Sequence, residues 1–140
     1  MGLIHVEIEL INGEDKALVR RHLLDLDEMR RITVRALVDS GAYLMAINEN
    51  IQEVLQLPVV GKEKTQLASG QIVEYDIVGP LEIRFEEYFS YCKAVVLPGG
   101  AEPLLGAIPL EDMHLIIDPR RQELVHSSKP SMLVYMKMHN

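Results

Sequence analysis

Val34-Arg35-Ala36-Leu37-Val38-Asp39-Ser40-Gly41-Ala42-Tyr43-Leu44 is an apolar run that stops abruptly at a carboxylate, a hydroxyl and a glycine. Upstream, the alternation of Ile32, Val34, Ala36 and Val38 predicts a strand from Arg31 to Val38 with one apolar face. A buried strand that ends in Asp-Ser-Gly can deliver a reactive side chain into a turn. The same tripeptide also makes an ordinary Asx turn, because short polar side chains bond the backbone two residues on. Taken alone, Asp39-Ser40-Gly41 is compatible with both.

Downstream, Leu44-Met45-Ala46-Ile47 is a second apolar run, and Asn48 is placed to cap a helix from Glu49 to Leu55 that closes before Pro58. Lys64 to Leu67 and Ile72 to Ile77 flank Ala68-Ser69-Gly70-Gln71, a hairpin in which Gly70 supplies the positive φ of a tight turn. Leu81 to Phe85 and Ser90 to Leu97 alternate as a further antiparallel pair, which exits at Pro98-Gly99-Gly100. Pro103-Leu104-Leu105-Gly106 is an apolar strand end closed by glycine. Pro109 then suits the first turn of a short helix, with Glu111 and Asp112 expected near its positive end. Leu115 to Pro119 resumes extended structure before a β-turn across Asp118 to Arg121.

Toward the amino terminus, Leu3 to Ile11 places Ile4, Val6, Ile8 and Leu10 on one face of a strand, and Asn12-Gly13 ends it with a turn signal. Residues 14–31 fit a short helix plus a loop, with no settled period. Toward the carboxyl terminus, Met132, Val134, Met136 and Met138 form a stripe that suits either an edge strand or a subunit interface. The expected fold is mainly β, a closed β-barrel with one or two short helices, in a domain over residues 1–126 with a tail over 127–140.

A chain of 140 residues is long enough for one sizeable core and too short for two large domains. Its hydrophobic content of 48% and charged content of 25% are ordinary for a globular protein and suggest neither disorder nor a membrane span. The net charge is -7, and the Arg pairs at 20–21, 30–31 and 120–121 are dispersed among acids, which argues against a nucleic-acid footprint. The amino-terminal segment reads as a strand and not as a signal peptide. The lone Cys92 cannot make an internal disulfide and suits a reducing compartment, so a cytoplasmic location is expected. His5, His22, His114, His126 and His139 are scattered without metal-ligand spacing, so neither a metal nor a cofactor is expected.

Three features in order, the strand into Asp39-Ser40-Gly41-Ala42, the glycine hairpin, and Leu104-Leu105-Gly106 before a short helix, resemble the retropepsin-like (clan AA) aspartic peptidases, and in particular a bacterial member of that group. The resemblance spans roughly Leu3 to Leu124. It implies the closed β-barrel of the acid proteases, with Asp39 catalytic and Ser40, Gly41 and Ala42 forming the active-site loop. It also implies a substrate-covering flap at Ala68, Ser69, Gly70 and Gln71, and structural support of the site from Leu104, Leu105 and Gly106. Serine at 40 replaces the more usual threonine and keeps the hydroxyl. Two departures stand out: the hairpin tip holds only Gly70, and residues 12–31 form a longer excursion than the viral relatives carry.

Amide hydrolysis without a metal or a nucleophile needs water held between a base and an acid. Two carboxylates about 3 Å apart supply both, because like charges that close share one proton. Asp-Ser/Thr-Gly occurs once in this chain, so one chain carries half of such a site. The expectation is therefore a homodimer that hydrolyses a peptide or protein substrate through Asp39 of each subunit, with no nucleic-acid or membrane partner. The alternative is a non-catalytic peptide-binding or assembly module on the same fold.

Overall fold

A computed structural model describes residues 3–127 of the protein. The methionine stripe of the tail lies outside the described residues. Strands β1 (His5–Asn12), β2 (Arg31–Val38), β3 (Met45–Asn48), β4 (Val59–Gln66), β5 (Ile72–Phe85), β6 (Tyr88–Leu97) and β7 (Leu104–Leu105) form one sheet in the order β1-β2-β7-β3-β6-β5-β4. β1 also pairs with β5, from Glu9↔Arg84 to Asn12↔Leu81, so six strands close into a ring and β4 hangs outside it as the hairpin partner of β5. The chain is thus mainly β, as its alternating patterns predict.

The core fills that ring. Ile8 and Leu10 of β1, Ala36 and Val38 of β2, Met45 and Ile47 of β3, Leu81 and Ile83 of β5, Ala94 of β6 and Leu105 of β7 are all buried in one cluster. These are the inward positions of period-two strands, and burying such side chains supplies most of the stabilisation of a small domain. The predicted strand at Arg31–Val38 is present with those bounds.

Among the described residues three short α-helices sit around the ring, more than the one or two expected: α1 (Gly13–Arg20), α2 (Glu49–Leu55) and α3 (Ala107–Asp112). Asn48 caps α2 as predicted, its Oδ1 accepting from Ile51 N at 2.8 Å. β1 ends at Asn12, where the turn signal places its end, and the buried Asn12 side chain caps α1 by accepting from Glu14 N and Asp15 N, and donates to Leu55 O at 2.8 Å. Gly13 follows because a Cβ there would meet Pro80 O at 2.9 Å. Glu111 and Asp112 fall at the carboxyl end of α3, so the placement near its positive end is corrected.

Two further differences concern the strands. The separate strands expected at Ile72–Ile77 and Leu81–Phe85 are one strand of 14 residues, β5, whose register shifts between Val78 and Leu81 at the cis peptide Gly79-Pro80. After β8 (Leu115–Asp118), the Asp118 turn leads into β9 (Glu123–His126), which pairs with β8 as a separate two-stranded sheet. This small sheet is laid against β6 by the Tyr88 and His126 rings, stacked at 4.3 Å.

The two ends of the excursion over residues 13–30 are joined by an ion pair. Asp15 is buried at 4% exposure and accepts three bonds from Arg30, from N at 3.0 Å, Nε at 2.8 Å and Nη2 at 2.9 Å. The side-chain bond from Arg30 holds the Asp15 carboxyl below its ordinary value of 3.8, against a desolvation that acts the other way. A carboxyl lowered in the folded state contributes stability that is full above the unfolded-state value and is lost as pH falls through the folded one. We therefore expect Asp15→Asn to cost about 1–2 kcal/mol in urea unfolding at pH 7. The gap between variant and wild type should hold from pH 7 to 5 and narrow below about pH 4; a gap that widens on acidification would refute this assignment.

Candidate functional site

β2 ends by entering a loop that the far end of the chain straps in place. Val38 N donates to Ile4 O at 2.8 Å and Leu37 N to Pro103 O at 2.9 Å, while Leu37↔Leu104 and Val38↔Leu105 pair in parallel. Asp39 N then donates to Leu105 O at 3.0 Å. On the return side, Ala107 N donates to Ala42 O at 2.8 Å and Ile108 N to Tyr43 O at 3.1 Å. Residues 39–43 are thus stitched at both sides to residues 105–108, and β3 leaves the loop with Ala46 opposite Leu104.

Gly106 is what allows the two segments to meet. A Cβ at 106 would lie 2.2 Å from Leu44 O, 2.8 Å from Leu44 C and 2.9 Å from Ala42 O, all of them backbone atoms that cannot swing aside. The structural support expected of Leu104, Leu105 and Gly106 is therefore a specific contact: Leu105 is fully buried under the loop, and Gly106 is the bare point of crossing.

Within the loop, Asp39 is half-buried, whereas Ser40 and Gly41 are exposed. Asp39 Oδ1 accepts from Gly41 N at 3.0 Å, the bond of an Asx turn, and the Asp39 carbonyl accepts from Ala42 N at 3.1 Å. Oδ2 takes no hydrogen bond from any described residue. The Asx-turn alternative is thus realised, and it uses one of the two carboxylate oxygens. The aspartate points from a fixed backbone, a common device for placing a functional side chain.

The hairpin expected at Ala68–Gln71 is present at the tip of β4 and β5. Leu67 N donates to Gln71 O at 2.8 Å, Gly70 N to Leu67 O at 2.9 Å, and Gly70 has φ +88°. Ala68, Ser69, Gly70 and Gln71 are all exposed. Its stem, not its tip, approaches the Asp39 loop. A cleft of about 200 Å³ is lined on one wall by Ala42, Tyr43 and Leu44 and on the other by Glu63, Thr65 and Tyr75. Neither Asp39 nor the four tip residues line it. Ser40 instead borders a separate cavity of about 310 Å³ with Leu110 and Leu115.

Glu63 was missed by sequence patterning because the strand was expected to begin at Lys64, whereas Thr65 and Tyr75 fall in expected strands but were not singled out. The period-two alternation of Glu63 and Thr65 against Lys62 and Lys64 was the available signal. Cys92 borders an apolar groove with Pro80 and Ile108, and burial, with Asp112 adding in the same sense, pushes its thiol up to about 12. A thiol so placed stays protonated and is a poor nucleophile. It should react with a disulfide reagent at pH 8 at least about a hundredfold more slowly in the native protein than in urea; comparable rates would contradict the raised thiol pKa of this half-buried residue. No helix among the described residues is long and apolar enough to cross a membrane. No protein-family model matches the chain, and no curated protein is significantly similar to it.

Substituting the crossing point tests the geometry of the site. Gly106→Ala is expected to cost about 3 kcal/mol in urea unfolding, the upper end for overpacking, because the clash is with backbone. A loss below about 0.5 kcal/mol, the ordinary surface range, would show that the loop does not depend on this crossing.

Proposed function

We propose that this chain is one subunit of a homodimeric, retropepsin-like aspartic endopeptidase, in which Asp39 of each subunit holds a water between two carboxyl groups. The supporting observation is the Asp39 loop itself: an aspartate at the end of a buried strand, strapped on both sides by residues 105–108, with one carboxylate oxygen used to set the turn and the other open. One carboxylate cannot act as both base and acid, and Asp-Ser/Thr-Gly occurs once in the chain, so the second must come from another copy. One proton shared between the pair would let one carboxyl deprotonate the water while the other protonates the scissile carbonyl oxygen. The substrate would lie extended between the Asp39 loop and the β4–β5 hairpin, adding backbone hydrogen bonds to strands already in place.

One observation favours a second function, a non-catalytic peptide-binding module on the same ring. The cleft between loop and hairpin stem is lined by Ala42, Tyr43 and Leu44 but not by Asp39. Such a cleft can seat a side chain without any chemistry at the carboxylate.

The two are separated by Asp39→Asn. In a peptidase, the change should lower cleavage of a peptide library at mildly acid pH by at least about a thousandfold, as for a group acting directly on the reacting atoms. Sedimentation should show the same dimer in both proteins. Cleavage that survives in Asp39→Asn, or cleavage by a strictly monomeric wild type, would eliminate the proposed site. A wild-type dimer that binds peptides and cleaves none between pH 3 and about 8, the range over which carboxylate chemistry operates, would leave the binding module.

A further inference from the structure

The cleft between the Asp39 loop and the hairpin stem carries a single carboxylate, Glu63. The rest of its lining is apolar, aromatic or hydroxyl-bearing, with Thr65 and Tyr75 beside Glu63 and Ala42 and Leu44 opposite, and no cation borders it. At about 200 Å³ it is smaller than the roughly 300–1,000 Å³ of a typical small-molecule site, and it suits one side chain of an extended peptide.

Strand geometry keeps Glu63 unpaired. Its neighbours Lys62 and Lys64 project to the other face of β4, because successive side chains alternate. There Lys62 pairs with Asp76, and Lys64 stands opposite Glu74. The residue opposite Glu63 is Tyr75, and Glu63 forms no ion pair with any described residue. An adjoining cavity that shares Tyr75 is bordered by Glu49, Glu74 and Asp76, and with Glu63 these acids outnumber the nearby Lys62 and Lys64, so the local field around the cleft is negative.

We infer that Glu63 is a specificity-determining residue that selects a lysine or arginine side chain in the bound peptide, with small or aliphatic residues beside it. The aliphatic stem of the basic side chain packs on Ala42, Leu44 and Tyr75, and its charged end meets the Glu63 carboxylate at the mouth of the cleft. This rests on the proposed placement of the substrate and names its class.

The test uses the full chain carrying Asp39→Asn, so that bound peptide is not consumed, and fluorescent octapeptides of alanine, valine and leucine. These differ at one position, which is lysine, norleucine or glutamate. Binding is read by fluorescence polarisation at neutral pH and low salt. The lysine peptides should bind about fivefold more tightly than the norleucine peptides, as expected for an ion pair open to solvent on one side. Adding Glu63→Gln should remove that advantage, and adding Glu63→Lys should turn it toward glutamate. Equal binding of lysine and norleucine peptides, binding of neither, or a lysine preference that survives Glu63→Gln would overturn the assignment. Cleavage by the chain with Asp39 intact is scored separately: its absence removes the peptidase, whereas the lysine preference stands or falls on Glu63.

Discussion

The missing side chain at residue 106 is the constraint on which the Asp39 loop depends. β7 is only two residues long and pairs in parallel with β2, an arrangement with little stability of its own. It persists because the chain on either side of it is pressed into the loop it supports, with Ala42 O and Tyr43 O accepting from the first residues of α3. That approach is open only to a residue without a Cβ. The opposite side of the ring closes independently, through β1 and β5. The loop is therefore held by a short crossing inside a long, mostly antiparallel enclosure.

Outside the ring, a second polar arrangement keeps the excursion after β1 in contact with the sheet. Glu82 of β5 is fully buried, with Oε2 at 2.7 Å from Arg84 Nε and 3.6 Å from Lys16 Nζ of α1. Burial alone would raise its carboxyl, but Arg84, Tyr91 and Lys16 together outweigh that and hold it low. Lys16 is the partner of this buried carboxylate that comes from α1, so α1 is attached by a charge as well as by packing. With Asp15–Arg30 at its other side and Asn12 beneath it, the segment is anchored at three points by polar groups that few apolar contacts could replace.

Legibility from sequence followed period and punctuation. β2 and α2 could be read because alternation in one and an Asn cap in the other are local signals, and the hairpin tip because Gly70 marks it. β5 was split because Gly79-Pro80 looks like a terminator, whereas the strand passes through it with a shifted register. Asn12-Gly13 has the form of a hairpin turn, yet Asn12 is used by α1 and α2, a choice made by tertiary packing that no local pattern carries. Glu63 escaped notice for a related reason. β4 is almost entirely exposed, so no apolar alternation marks where it starts. The candidate site was legible as Asp39-Ser40-Gly41 with Leu104, Leu105 and Gly106 as its expected support, while the backbone crossing at Gly106 and the cleft wall at Glu63 depend on contacts between segments far apart in sequence.

The geometry of Asp39 also bears on why one copy would be insufficient for the proposed chemistry. Gly41 N holds Oδ1, so the carboxylate has a set orientation, and the exposed Ser40 and Gly41 leave its surroundings open to water. General acid and base in one site require two groups in opposite protonation states, and water-exposed carboxylates far apart have no reason to differ. A second copy placed across a twofold axis would add the missing like charge and exclude water at the same time, and it would present to each Asp39 the same Oδ2 that is left open here. On the proposed reading, the loop is rigid where the backbone must be fixed and open where a second copy would act.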